Sequence, residues 1–265
     1  MKIIWHLGFH KTGTTSIQAI LAENLEVIAK NTAMVIPARN IVHPGVRDSK
    51  PLADAMRNYA VEPSLSNLET LESVIDEVVS WGDKQGYDQL VFSDEMALGT
   101  NIFDANGDVF LHAQRLLRAL DDMMATAEQV AVIYSRECAP WLQSAYAQSL
   151  KYGRNCLSFN DWCALFPQMS ELPNLLADVQ TSASFNVKLI RMEEEIEESE
   201  LLGTSLLQEM GVEPKNIVAV SAKNTRMSAA ALEFLLRLNR SDVVGTRYFK
   251  TRSVVLQNSE LFDGL

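Results

Sequence analysis

Lys11, Thr12, Gly13, Thr14, Thr15 and Ser16 stand in a row near the start of the chain, directly behind Gly8, Phe9 and His10. A cation, a glycine that lets the backbone turn and consecutive hydroxyls opening a helix form a set that can hold phosphate. Successive N–H groups converge on the anion, the helix N-terminus adds positive potential, and the lysine reaches the terminal charged group. The plain structural alternative is a glycine turn followed by a Thr/Ser helix cap. The apolar run at 2–7 favours phosphate, because a strand entering a tight loop and then a helix is the setting such a loop needs.

Two further groups have types suited to the same chemistry. Arg136 closes the β-branched run 129–135, and Ser144 follows eight residues later in a segment of good helix formers. A guanidinium grips phosphate by a two-pronged fork and a serine donates one more hydrogen bond, although an arginine after a strand is commonly a surface ion pair. Ser93, Asp94 and Glu95 follow the strand-like run 89–93, so either carboxylate is a candidate general base. The competing reading is a helix-capping cluster without a catalytic role.

Lys11 precedes Gly13, whereas the nucleoside-triphosphatase loop G-x-x-x-x-G-K-[ST] places its lysine after the second glycine. That order argues against a magnesium-ATP kinase. Lys11-Thr12-Gly13-Thr14-Thr15 resembles the phosphosulfate loop of sulfotransferases that use 3'-phosphoadenosine 5'-phosphosulfate, and the fuller segment 6–18 is most similar to the bacterial branch of that family. Arg136 with Ser144 is similar to the family's 3'-phosphate motif, and the segment 141–148 is again like the bacterial members. Here Arg136 is followed by Glu137-Cys138-Ala139-Pro140 where relatives often have Arg-Asp-Pro, so a different local turn is expected.

The resemblance implies roles for these positions. Lys11 would neutralise the bridging oxygen of the departing nucleotide. The amides of Gly13, Thr14 and Thr15, with Thr12 and the Ser16 hydroxyl, would hold the 5'-phosphate, and Arg136 and Ser144 the 3'-phosphate. Glu95 is the first candidate for the base, because glutamate serves so in part of the family and Ser93-Asp94-Glu95 is like a bacterial Ser-x-Glu pattern. His10 and His43 are lesser candidates, since histidine is the base in other members and a lone histidine is more often structural. Arg226 is similar in place to a late basic residue that closes over the 3'-phosphate, but the family's late glycine-rich signature is missing.

The elements that must position these residues follow from apolar spacing. Strands are expected at 2–7, 33–37, 89–93, 129–135 and 186–191, and helices after the first loop and at 68–84, 111–126, 141–150, 201–210 and 228–239. Ile17, Ile20, Leu21, Val27 and Ile28 carry the first helical face, with Thr14, Thr15 or Ser16 available to cap it. Strands alternating with helices predict an α/β fold of three layers, α/β/α, around a parallel sheet that binds ligands at the carboxyl ends of its strands. The stretch 38–67 is polar and suits an inserted loop or lid. No element is assigned to residues 241–265.

A chain of 265 residues with 47% hydrophobic and 22% charged content fits one sulfotransferase-like domain over 1–265. The net charge of −11 repels nucleic acid polymers and anionic membranes, so a bound nucleotide needs a local basic pocket. Glu193, Glu194, Glu195, Glu197, Glu198 and Glu200 are read as a solvated face without chemistry. No run approaches a membrane span, Cys138, Cys156 and Cys163 lack metal-ligand spacing, and a cytoplasmic protein with free thiols and no metal is expected. The leading expectation is sulfuryl transfer to a hydroxyl-bearing small molecule, glycan or lipid precursor. A P-loop nucleotide kinase and a non-catalytic nucleotide-binding relative are the alternatives.

Overall fold

The structure is a computed structural model that describes residues 1–38, 41–98, 108–152, 155–220 and 227–259. The chain divides into two compact units, Met1–Glu137 with Glu171–Ser221 and Cys138–Ser170 with Ala222–Leu265.

In chain order, the first unit contains β1 (Lys2–Leu7), α1 (Thr14–Glu23), α2 (Leu25–Ile28), β2 (Thr32–Ile36), β3 (Val46–Asp48), α3 (Lys50–Val61), α4 (Leu65–Lys84), β4 (Gln89–Asp94), α5 (Val109–Met123) and β5 (Gln129–Ser135). After α6 (Cys138–Tyr152) and α7 (Phe159–Cys163) of the second unit, it resumes with α8 (Leu172–Gln180), β6 (Asn186–Arg191), α9 (Met192–Ser199) and α10 (Thr204–Glu209). The second unit is completed by α11 (Ala229–Arg240) and α12 (Gly245–Gln257).

Among the described residues six strands form one sheet in the order β3-β2-β4-β1-β5-β6, and every neighbouring pair is parallel. β1 is buried on both faces, with Ile3, Ile4, Trp5, His6 and Leu7 each at most 1% exposed. Successive side chains point to opposite faces, so both must be covered, which is the condition for a buried parallel sheet. Ile4, Val91, Val130, Val132 and Tyr134 share one face with Ile17 and Leu21 of α1 and Leu206 of α10. On the other side α3 packs on α4 and on α5, and α5 packs on α8. This is the expected α/β architecture.

Register decides what meets at the site. Leu7 lies beside Asp94 and His6 beside both Ser93 and Val132. Because all strands run the same way, the loop after Leu7, the residue after Asp94 and the residue after Ser135 emerge at one sheet edge. The three candidate groups therefore reach a common edge from three adjacent strands.

Several boundaries differ from the sequence expectation for local reasons. α1 is capped by Gly13 in the left-handed region, with no side-chain cap, so Thr14, Thr15 and Ser16 enter the helix. α5 begins at Val109 because the Asp108 carboxylate accepts from the N–H groups of Phe110 and Leu111. α6 starts before Pro140, a position tolerated in a first helical turn, where the missing N–H has no partner to lose. α10 starts late because Gly203 adopts a left-handed backbone ahead of it.

The expectation of an irregular stretch at 38–67 is corrected. It holds the edge strand β3 and the helix α3, whose Leu52, Ala53, Ala55, Met56 and Ala60 are buried. Lys50, Asp54 and Arg57 lie on the opposite side of that helix and pair with one another, and this charge masks the amphipathic period. Residues 241–265, where apolar spacing assigns no element, include α12. In the second unit Asn239 donates to the carbonyls of Leu150 and Asn155 and accepts from the Tyr248 hydroxyl at 2.7 Å.

Candidate functional site

The loop after β1 is built around two left-handed residues, Lys11 at φ 70° and Gly13 at φ 89°. Glycine takes that conformation freely, while a lysine there costs about 1 kcal/mol and calls for support from its surroundings. Arg136 supplies part of it, donating from Nη1 to the Lys11 carbonyl at 3.2 Å. Thr12 is fully buried and donates its hydroxyl to the Phe9 carbonyl at 2.6 Å. Thr12 thus fastens the loop from inside, and its hydroxyl is committed to that bond.

Gly8 is required by contact. A Cβ there would lie 1.8 Å from Thr14 Oγ1 and 3.0 Å from Thr14 Cβ, so the first residue of α1 sits against the strand exit. Thr14 Oγ1 is buried without a hydrogen-bond partner among the described residues. The N–H groups of Gly13, Thr14 and Thr15 likewise have no acceptor there, whereas those of Ser16 and Ile17 bond the Gly13 carbonyl at 2.9 and 3.1 Å. Free N–H groups at a ten-residue helix start, with an unsatisfied hydroxyl beside them, are donors suited to an anion. Ser16 is half-buried at the rim.

Lys11, Glu95 and Arg136 are brought together. Burial pulls the Lys11 pKa down, the Glu95 carboxylate pushes it up, and the Arg136 guanidinium pulls it down again. Asp94, the other carboxylate of its pair, is engaged: it accepts from the Ser49 hydroxyl at 2.5 Å and from the Met96 N–H at 2.8 Å. Residues 95–98 form a turn and no helix, so Asp94 closes that turn through the Met96 N–H where a helix cap was foreseen, and Glu95 is left half-buried at the loop. Ser93 is held by His6, whose Nδ1 lies 2.8 Å from Ser93 Oγ, and Gln18 donates to the Ser93 carbonyl at 3.0 Å.

His10 is half-buried in the loop. His43 precedes β3 and accepts from the Gly45 N–H at 3.1 Å, which gives it a turn-forming role. Ser144 is half-buried in α6 and belongs to the second unit. Arg226 lies outside the described residues. Burial raises the thiol pKa values of Cys138 and Cys163, the reverse of what activates a nucleophilic cysteine.

The acidic run is where sequence reasoning missed most, and the reading of it as a solvated face is corrected. Glu195 is 5% exposed; its carboxylate accepts from Tyr134 at 3.0 Å and from the N–H groups of Gly203 and Ser205 at 2.6 Å each. Burial, then the Glu195 charge, pushes the Tyr134 phenol well above its ordinary range, so it remains a donor. The Tyr134 ring packs edge-on against His6 at 5.5 Å. This cluster ties the start of α10 to β5 and places Leu202 and Met192 against Gly13, where an added Cβ would come within 2.4 and 3.2 Å of them. Glu193 pairs with Arg136 at 3.0 Å. The only sequence signal for an inward face was the Met192, Glu195, Ser199 spacing.

The fold is shared with a solved structure described as a sulfotransferase from Alicyclobacillus acidocaldarius, at a TM-score of 0.50 and 15% identity over 96% of this chain and 93% of the other. No protein-family model matches the chain, and no curated protein sequence does. Among the described residues no helix is long and apolar enough to cross a membrane.

Proposed function

We propose that this protein is a sulfotransferase that moves a sulfuryl group from 3'-phosphoadenosine 5'-phosphosulfate to a hydroxyl on a small molecule, glycan or lipid precursor, with both units making up one sulfotransferase-like domain. The observation that carries the reading is the convergence of Lys11, Glu95 and Arg136 at the ends of β1, β4 and β5, beside the open N–H groups of α1. The sulfotransferase-like fold supports it.

In this reading the N–H groups of Gly13, Thr14 and Thr15, with the Thr14 and Ser16 hydroxyls, receive the 5'-phosphate. Thr12 shapes the loop that presents them. Arg136 receives the 3'-phosphate, which separates this donor from an ordinary nucleotide. The acceptor oxygen attacks sulfur as the bond from sulfur to the bridging phosphate oxygen breaks, and the acceptor proton passes to Glu95. Charge developing on the departing oxygen is met by the Lys11 ammonium, so catalysis rests on position and electrostatics. The low-dielectric setting that depresses Lys11 also strengthens its pull on that charge.

Calorimetric titration with adenosine 3',5'-bisphosphate and with ADP tests the donor assignment. The 3'-phosphorylated ligand should bind more tightly, and Arg136→Ala should cost it roughly thirtyfold, as expected for a charge-assisted contact to phosphate. Lys11→Ala should weaken both ligands. Equal binding of the two, or binding indifferent to Arg136, rejects the reading. Transfer of radiolabelled sulfate from the donor to a panel of hydroxyl acceptors then tests the reaction.

A further inference from the structure

Arg136 already holds an anion. Its Nε donates to Glu193 Oε1 at 3.0 Å and its Nη1 to the Lys11 carbonyl at 3.2 Å, while Glu193 Oε2 accepts from the Glu137 N–H at 3.4 Å. The two side chains are 18% and 24% exposed. Nη2 has no acceptor among the described residues, so the guanidinium is only partly engaged.

We propose that Glu193 is a built-in competitor whose carboxylate occupies the anion seat of Arg136, so that a ligand's 3'-phosphate must displace it to bind. The proposal rests on the donor assignment made above. Carboxylate and phosphate oxygens compete for the same N–H donors of a guanidinium, and a phosphate carrying nearly two charges outcompetes a carboxylate carrying one. A nucleotide without a 3'-phosphate brings no group to this seat and leaves the ion pair closed.

Three features favour displacement over a role in merely orienting the arginine. Arg136 is independently fixed by the Lys11 carbonyl and by its place directly after β5. Glu193 lies in the first turn of α9, where released negative charge is favoured by the helix N-terminus. Its partial exposure lets the freed carboxylate turn to water and keeps the pair weak enough to break.

The test is calorimetric titration of wild type, Glu193→Gln, Arg136→Ala and the double variant with adenosine 3',5'-bisphosphate and ADP. Glu194→Gln serves as a control that removes an equal charge from the next residue, which pairs with Arg191. Glu193→Gln should tighten the 3'-phosphorylated ligand about fivefold, change ADP less than twofold, and lose its effect when Arg136 is absent. Glu194→Gln should leave both constants within twofold. Weaker binding in Glu193→Gln would make the residue a support for Arg136, and equal gains for both ligands, or a gain that survives Arg136→Ala, would make it a general charge effect. Either result overturns the proposal, as does no change. Wild type that binds the two nucleotides alike instead rejects the donor assignment, whatever Glu193 does.

Discussion

His6 is completely buried one residue before the end of β1, with Nδ1 near Ser93 and Nε2 without a partner among the described residues. Burial lowers its pKa from 6.5 to about 3. Between those values the unfolded chain binds a proton that the native protein does not. Stability therefore falls as pH falls through that window and is unaffected by this group above it. One proton corresponds to about 1.4 kcal/mol per pH unit, so between pH 7 and pH 4 His6 should remove roughly 3 kcal/mol. His6→Asn keeps a hydrogen-bonding atom for Ser93 but cannot take up the proton. It should be less stable than wild type at pH 7, because volume is lost from a packed interior, and its deficit should shrink by roughly 3 kcal/mol by pH 4. Urea unfolding of both proteins at pH 7, 6, 5 and 4 measures the difference, in which the titrations common to both proteins cancel. A deficit constant with pH would refute the reasoning, since the native imidazole would then be charging as readily as the unfolded one.

Glu95→Gln should lower the rate of sulfuryl transfer at least a hundredfold through loss of the base, with affinity for adenosine 3',5'-bisphosphate changed little; single-turnover assays beside calorimetry separate the two. Because burial holds the Lys11 pKa below that of an ordinary lysine, affinity for the same ligand should decline as pH rises, and should do so earlier than deprotonation of an ordinary lysine would allow. Lys11→Arg should move the decline upward, as titrations from pH 7 to 10 would register. Gly8→Ala forces a methyl group to within 1.8 Å of Thr14 Oγ1 and should cost about 1–3 kcal/mol. Adding Thr14→Ala should recover part of that loss in thermal unfolding.

Strands were legible where short runs rich in Val and Ile lacked a helical period. The expected 129–135 and 186–191 coincide with β5, buried throughout, and with the edge strand β6, in which only Val187 is buried. The candidate cluster of Lys11, Glu95 and Arg136 was legible for a related reason. In a parallel sheet the residue after each strand reaches the same edge, so reading strand ends amounts to reading the site. What stayed hidden was set by single backbone angles and individual hydrogen bonds. Gly13 caps α1 by taking a left-handed conformation, and no propensity separates that from a cap by Thr14. Thr12, a ligand by resemblance, turns its hydroxyl inward to Phe9, an orientation that depends on the loop having already closed.

The acidic run shows why a charge pattern alone was misleading. Six glutamates within eight residues look solvated if each is judged by type, yet a helix gives consecutive residues different surroundings. Glu194 points outward to Arg191, Glu193 reaches Arg136, and Glu195 turns inward to cap α10 and accept from Tyr134. Meanwhile the one aliphatic residue within the run, Ile196, is 42% exposed. Apolar periodicity was therefore blind to the buried face of α9, whose central member is a carboxylate. A buried carboxylate is tolerable only when its oxygens are filled, and the three donors that fill this one come from β5 and from the entry to α10. The bonds that satisfy Glu195 hold α9 to β5 and to the entry of α10, and Glu193, two residues earlier on the same helix, reaches Arg136.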